Sequence, residues 1–434
     1  MNRRTTLVLA MTCAVAVGNI YFPQAIIPLI AEGLHASPDA ASLAVTATQV
    51  GYTAGMFLLV PLGDRLPHRS LLVTLLAVTS LGLLAAGCAT DLPLLVVASS
   101  LIGLTTVAAQ VVGPLAAGLV AADRRGAVIG TLLSGSIGGM LLTRAFSGSL
   151  GEWLGWRVPY LTAAALTLLL ACILARTVPV TTPPSHQPYP ALLAEPLRLL
   201  RTEPDLRRSC FYQAMVFAGF SAVWTCLALL LNGPVYGMGA QAVGLLALVG
   251  GATMLCTPLA GRLVDRHGPD PVNLVSMLAV LVSAAVLAAG ACGGVPGLTA
   301  LVVGTLLLDI AMQSGMVANQ ARVYALRPDA RGRLNTAYMT CAYLGGSAGS
   351  WLGVRVYSQA GWPGVCALVA LLAALALGRH LVALTMSSSP SRSKSANSPS
   401  PGVTSETTTS ELTRSELTTS ELTTTPTPSQ NRKA

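Results

Sequence analysis

Two formal charges stand well inside long apolar runs. Asp309 lies in LVVGTLLLDIAMQSGMVANQ and Arg144 in GTLLSGSIGGMLLTRAFSG. A charge at the centre of a bilayer costs about 2.5–3.5 kcal/mol on insertion scales, so such a residue reads as functional by default. A carboxylate taken out of water can be neutralised by a proton, which makes Asp309 a candidate proton carrier. Arg144 is a candidate partner for Asp309 or a site for an anionic group. A structural ion pair or a helix-packing hydrogen bond is the competing reading of both. Gln313, Met316 and Gln320 follow Asp309 at helical spacing, giving that helix one partly polar face.

Uncharged polar residues cluster where helices should break. Asn19, Tyr21 and Gln24 surround Pro23, and Gln110 lies one turn before Pro114. Proline removes an N–H and loosens a helix interior. With Gln313 these are candidates to line a substrate cavity of the kind built from discontinuous helices; interhelical hydrogen bonding is the alternative. The nine cysteines are scattered without a CxxC pair and the five histidines are dispersed, so no metal site and no cofactor are expected. Neither H-E-x-x-H nor a P-loop occurs. Enzyme chemistry and ATP drive within the chain are therefore not expected.

Positioning these residues is the work of membrane-spanning helices. The 434 residues are 53% hydrophobic and 10% charged, against about 25% charged in soluble domains. A span needs roughly 20 apolar residues. Twelve segments meet this, near 7–31, 42–62, 70–89, 92–119, 126–150, 158–175, 209–231, 241–260, 272–290, 298–319, 335–357 and 363–384. The N-terminal run continues past Ile30 and reads as a retained first span rather than a cleaved leader.

Basic residues set the sides. With both termini cytoplasmic, the N-terminus and five loops carry seventeen Arg, and the tail from Arg379 adds six Arg and Lys. The other side holds only Arg157 and Arg355. The positive-inside rule thus makes the net charge of +9 a mark of topology in a cytoplasmic membrane, not of nucleic acid binding. The expected domains are a six-helix bundle (1–175), a cytoplasmic linker (176–208), a second six-helix bundle (209–386) and a disordered Ser/Thr-rich tail (387–434). In the tail Glu406, Glu411, Glu416 and Glu421 each follow a Ser.

The two halves echo each other. Asp64-Arg65 and Asp265-Arg266 are 201 residues apart, Arg125-Gly126 and Arg331-Gly332 are 206 apart, and Trp156 and Trp362 are 206 apart. Landmarks in one order at nearly one offset imply two parallel repeats, an architecture of secondary transporters. Rows of small residues, Gly135 and Gly139 in one half and Gly345, Gly349 and Gly353 in the other, are candidate helix-packing seams.

The loops after the second span of each half carry GRLVDRHG (261–268) and VPLGDRLPHR (60–69). Gly261, Asp265, Arg266 and Gly268 in the second, and Asp64, Arg65 and Arg69 in the first, resemble the G-x-x-x-D-R-x-G-R-type motif of the major facilitator superfamily. Val60 and Pro67 stand where that motif has glycine. GNIYFPQ, RRGAVIGTLLSG, LLTRAFSG ahead of GWR, and the run from Leu306 to Met339 resemble a bacterial subgroup of drug or sugar efflux permeases.

The resemblance implies an all-α membrane protein of twelve helices in two parallel six-helix repeats. It also implies that the motif residues form a cytoplasmic gate that makes and breaks as the halves rock. The expected function is secondary transport by alternating access, working as a monomer. It would be proton-coupled efflux of a small organic solute, with protons as the coupling ion. A proton-coupled importer of a sugar or metabolite is the alternative within the class, and a membrane sensor or scaffold the alternative outside it.

Overall fold

The computed structural model describes residues 3–120, 125–179, 187–327 and 330–388, and all regular structure among them is helical. Residues 1–387 form one body. The tail from 389 onward, the Pro-rich start of the linker (180–186) and Arg124 lie outside the described residues.

The first half comprises α1 (Arg3–Tyr21), α2 (Ile27–Gly33), α3 (Pro38–Leu58), α4 (His68–Gly87), α5 (Leu92–Thr105), α6 (Ala108–Gly118), α7 (Arg125–Leu154) and α8 (Arg157–Thr177). A connecting helix α9 (Tyr189–Thr202) follows. The second half comprises α10 (Pro204–Asn232), α11 (Ala240–Val249), α12 (Thr253–His267), α13 (Pro269–Ala288), α14 (Gly294–Leu326) and α15 (Arg331–Ser388). Counting α1–α2, α5–α6 and α11–α12 as single broken helices, eleven among the described residues are long and apolar enough to cross a membrane. The last of them leaves helical geometry at Gly361 (φ 61, ψ −161), between the last two segments expected from sequence.

Local chemistry explains the ends. Ser37 Oγ accepts the Ala40 N–H at 3.2 Å and Asp91 Oδ1 accepts the Leu94 N–H at 2.9 Å. Each satisfies a donor that the first helical turn leaves open. The two motif copies stop differently. α12 runs to His267 and reverses at Gly268, whose φ of 81 suits glycine. Pro67 cannot adopt that conformation; there α3 ends at Leu58, a 3-10 turn spans Val60–Asp64, and α4 begins after Pro67.

The expected breaks are present, with one shift. A 3-10 turn occupies Phe22–Ile26 around Pro23. The fourth span breaks at Thr106–Val107, ahead of Gln110 rather than at Pro114, and the Thr106 hydroxyl donates to the Ala16 carbonyl at 2.9 Å. A third break, Gly250–Ala252, divides α11 from α12.

Glycine seams hold each half. A Cβ on Gly135 would meet the Ala10 carbonyl oxygen, and one on Gly139 the backbone of Ala14, so α7 rests directly on α1. In the second half Gly345, Gly349 and Gly353 lie against Ala214, Ala218 and Ala222 of α10. Such close approach recovers dispersion energy that apolar burial cannot supply in lipid.

The linker is largely structured. α9 buries Leu192, Pro196 and Leu199, and Leu199 joins Leu206, Val323, Leu334 and Tyr338 in one cluster. Glu203 pairs with Arg327 at 2.8 Å and Glu195 with Arg333 at 3.8 Å. At the other end of α9 the Tyr189 hydroxyl donates to the Leu58 carbonyl at 2.5 Å. The connecting helix therefore touches both halves. Arg322, one of the seventeen Arg assigned from sequence to the N-terminus and cytoplasmic loops, is buried inside α14.

Candidate functional site

The centre of the molecule is built from α1, α7, α10, α14 and α15. Arg144, on α7, is fully buried. Its Nε and Nη2 donate to Gln24 Oε1 at 3.2 and 2.7 Å. The 3-10 turn at Pro23 carries Gln24 and so points the α1 break at α7. The guanidinium carbon lies 4.1 Å from the Trp224 ring centroid, 4.9 Å from Tyr21 and 5.9 Å from Phe220. Each desolvated cation–π contact contributes up to about 2 kcal/mol.

Asp309, on α14, is buried as well, at 4% exposure. Its Oδ1 accepts the indole N–H of Trp224 at 3.0 Å. Gly250, in the break between α11 and α12, faces the other oxygen: a Cβ there would come within 2.7 Å of Oδ2. The direct Arg144–Asp309 pair considered from sequence is not formed. The two share Trp224 instead, one on its face and one on its N–H, and the charge of Asp309 reaches Arg144 through space. Trp224 was not singled out from sequence, because a tryptophan in an apolar span looks like core.

The other cavity candidates separate. Tyr21 joins the centre, with its hydroxyl 3.4 Å from that of Tyr343. Gln110 donates to the Tyr52 hydroxyl at 3.3 Å, and Tyr52 packs edge-on against Tyr343 with centroids 4.5 Å apart. Gln313 and Asp309 line a small pocket with Ile137, Met140, Met312, Thr253 and Thr257. Asn19 instead donates to Thr167 at 3.3 Å, inside the first half.

Contacts between the halves are uneven. At the end poor in basic residues, Glu152 Oε2 accepts the Gln241 N–H at 2.9 Å, placing a negative charge at the N-terminus of α11, where the helix dipole favours it. A Cβ on Gly244 would meet Ala145 Cα at 2.5 Å, so α7 and α11 are in backbone contact. Towards the basic end, α7 and α12 part around the Asp309 pocket. The α3–α15 pair does the reverse. Asp64 lies in electrostatic reach of Arg333 at the start of α15, and Thr53 and Ser347 hydroxyls approach to 3.4 Å. The opposite ends of these two helices open into a cleft lined by Asp39 and Arg355.

Of the motif residues, Asp64 forms no salt bridge with Arg65 or Arg69 among the described residues. Arg65, Asp265 and Arg266 are exposed and Arg69 half-buried. The side chain of Arg125, at the start of α7, lies outside the described residues. A polar network absent from the sequence reading occupies the same end of the second half. Asp270 pairs with both Arg208 and Arg322, and the buried His380 Nδ1 stands 3.9 Å from it. These four residues sit on α13, α10, α14 and α15, and no local spacing links them. No group of three or more metal-ligating side chains occurs among the described residues.

The family model of the Major Facilitator Superfamily matches residues 7–289 and 236–425. The uncharacterized transporter YgaY of Escherichia coli O157:H7 is 34% identical over 365 residues, covering 84% of this chain and 92% of the relative. A chloramphenicol resistance protein of Streptomyces lividans is 29% identical over 245 residues, 56% of this chain and 62% of that one. Among solved structures, the nucleoside transporter NupG superposes with a TM-score of 0.69 at 14% identity, covering 89% of this chain and all of that one.

Proposed function

The chain belongs to the Major Facilitator Superfamily, and on that premise we propose that it is a proton-coupled secondary transporter of a small organic solute. Its twelve helices form two parallel six-helix repeats, the α15 break at Gly361 separating the last two. The basic-rich end is cytoplasmic, so both termini face the cytoplasm. The halves rock about the central site, alternately exposing it.

The observation that carries this reading is Asp309: a carboxylate buried among apolar helices, held by one indole N–H, beside a break in a neighbouring helix. Proton uptake there discharges a costly buried anion, and the break lets the surrounding helices rearrange as it happens. The Glu152–Gln241 contact is the outer gate. The inner gate is Asp64 with α15, together with Asp265, Arg266 and the α7 terminus.

Outward movement is the leading direction, supported by the chloramphenicol resistance protein among the relatives. A second reading, proton-coupled uptake, is favoured by Arg144, a buried cation whose nearby carboxylate would be neutral when protonated.

Counterflow in proteoliposomes, with radiolabelled chloramphenicol, nucleosides, sugars and carboxylates as the panel, tests the class. At least one solute is expected to exchange without any added energy source. Exchange of none, by protein that is folded and correctly inserted, contradicts a transporter.

A further inference from the structure

Arg144 is overbuilt for a packing residue and underpaired for an ion pair. It is fully buried, and no carboxylate among the described residues lies in salt-bridge contact with it. Its Nε and Nη2 both go to one acceptor, Gln24 Oε1. Its Nη1 has no hydrogen-bond partner, and neither has Gln24 Nε2.

Two hydrogen bonds and three aromatic faces hold the cation, and what stays unmet is its remaining donor. A buried polar group left without a partner carries its full desolvation penalty. An open guanidinium donor beside an open amide donor, in a site otherwise walled by Tyr21, Phe220 and Trp224 rings, is an unfilled place for one acceptor group. The acceptor that suits it is anionic, monovalent and small, which describes a carboxylate; a dianionic phosphate would bring a second charge that nothing here pairs. The rings offer flat apolar walls to the body that carries it.

We infer that the central site takes an organic carboxylate. The carboxylate seats on Arg144 Nη1 and Gln24 Nε2, its apolar body lies against the aromatic rings, and a proton on Asp309 strengthens its binding. This inference rests on the transporter reading and names its substrate class. The coupling follows from charge alone. Asp309 is the carboxylate whose charge reaches Arg144. Protonation removes that competing anion, so proton and carboxylate load together and cross as a neutral pair. Tyr21, the other titratable group whose charge reaches Arg144, stays neutral at working pH. Co-loading belongs to the uptake reading and exchange of solute against protons to the outward one, so the pH dependence of binding decides between the two directions.

The test is binding to the purified full-length chain, read by calorimetry and by tryptophan fluorescence, with Trp224→Phe assigning the signal among the five tryptophans. The probes are benzoate, its neutral isostere benzamide and the cation benzylamine, with phenylacetate and its amide as a second pair. Acids should bind and their amides should not. Between about pH 8 and about pH 6, where a free carboxylate stays ionised, benzoate affinity should rise about tenfold. Asp309→Asn should bind benzoate with that pH dependence gone. Arg144→Gln should lose the acid–amide preference. Gln24→Ala should weaken benzoate without removing the buried cation, which keeps the proposal testable should Arg144→Gln not fold.

Equal binding of acid and amide, binding of neither acid, or affinity that falls with acidity would each overturn the inference. The two levels fail separately. A neutral solute that exchanges in counterflow while no acid binds or competes leaves the transporter and sinks the anion site. Acids that bind but never exchange, in a chain that exchanges nothing else, leave the anion site and sink the transporter.

Discussion

Asp309 and Arg144 are the residues on which the proposal turns, and both stand out in the sequence. A charge in an apolar run is conspicuous whatever the fold. Trp224, which touches both, was not legible, because only the packing of α10 between α7 and α14 distinguishes it from any buried aromatic. The same holds for Asp270, Arg208, Arg322 and His380: each reads alone as a loop or interface charge, and tertiary structure makes them a network. Trp224 gives a sharp prediction. Trp224→Phe keeps an aromatic face under Arg144 but strips Asp309 of its donor, so it should cost about 1–3 kcal/mol of stability and alter the pH dependence of transport. Thermal unfolding and pH-resolved flux measure the two effects; a variant unchanged in both would show that the indole N–H does nothing for Asp309.

Helices were read well from sequence where hydropathy decides and poorly where geometry does. The apolar segments and the Pro23 break were visible because bilayer thickness and proline chemistry leave local marks. The break at Gly250–Ala252 was not visible, since a Gly-Gly pair in a long apolar run is equally compatible with a continuous helix. The glycine seams followed from spacing alone, and their contacts give each a partner. Gly349→Ala forces a Cβ into the Ala218 backbone and should destabilise the fold by about 1–3 kcal/mol. Gly378→Ala, with nothing within 4 Å of the new carbon, should be neutral or stabilising, by up to about 1 kcal/mol, from helix propensity. Equal melting shifts for the pair would refute the seam. The proposed gates belong to this scale too. Glu152→Ala removes the cap on α11 and should raise cysteine labelling from the basic-poor side, whereas Asp64→Asn should raise it from the basic side. Labelling unchanged in both would mean that neither contact holds a conformation closed.

As a whole molecule, the chain places two oppositely splayed helix pairs around one buried centre. α7 and α11 meet at the end where α3 and α15 part. Sequence repeats at offsets of 201 to 206 residues imply two halves, but not how they meet, because contacts between repeats carry no periodic signal. That meeting encloses Arg144 and Asp309, the latter being where we propose that a proton is taken up. Asp309→Asn keeps the acceptor for the Trp224 N–H, so the fold should survive while proton binding is lost.

The decisive measurement is therefore flux in proteoliposomes, comparing the native chain with Asp309→Asn for whichever panel solute shows counterflow. The variant should still exchange that solute at equilibrium, while movement driven by an imposed pH gradient should disappear. Gradient-driven movement that persists in Asp309→Asn, with its pH dependence intact, would contradict Asp309 as the proton carrier.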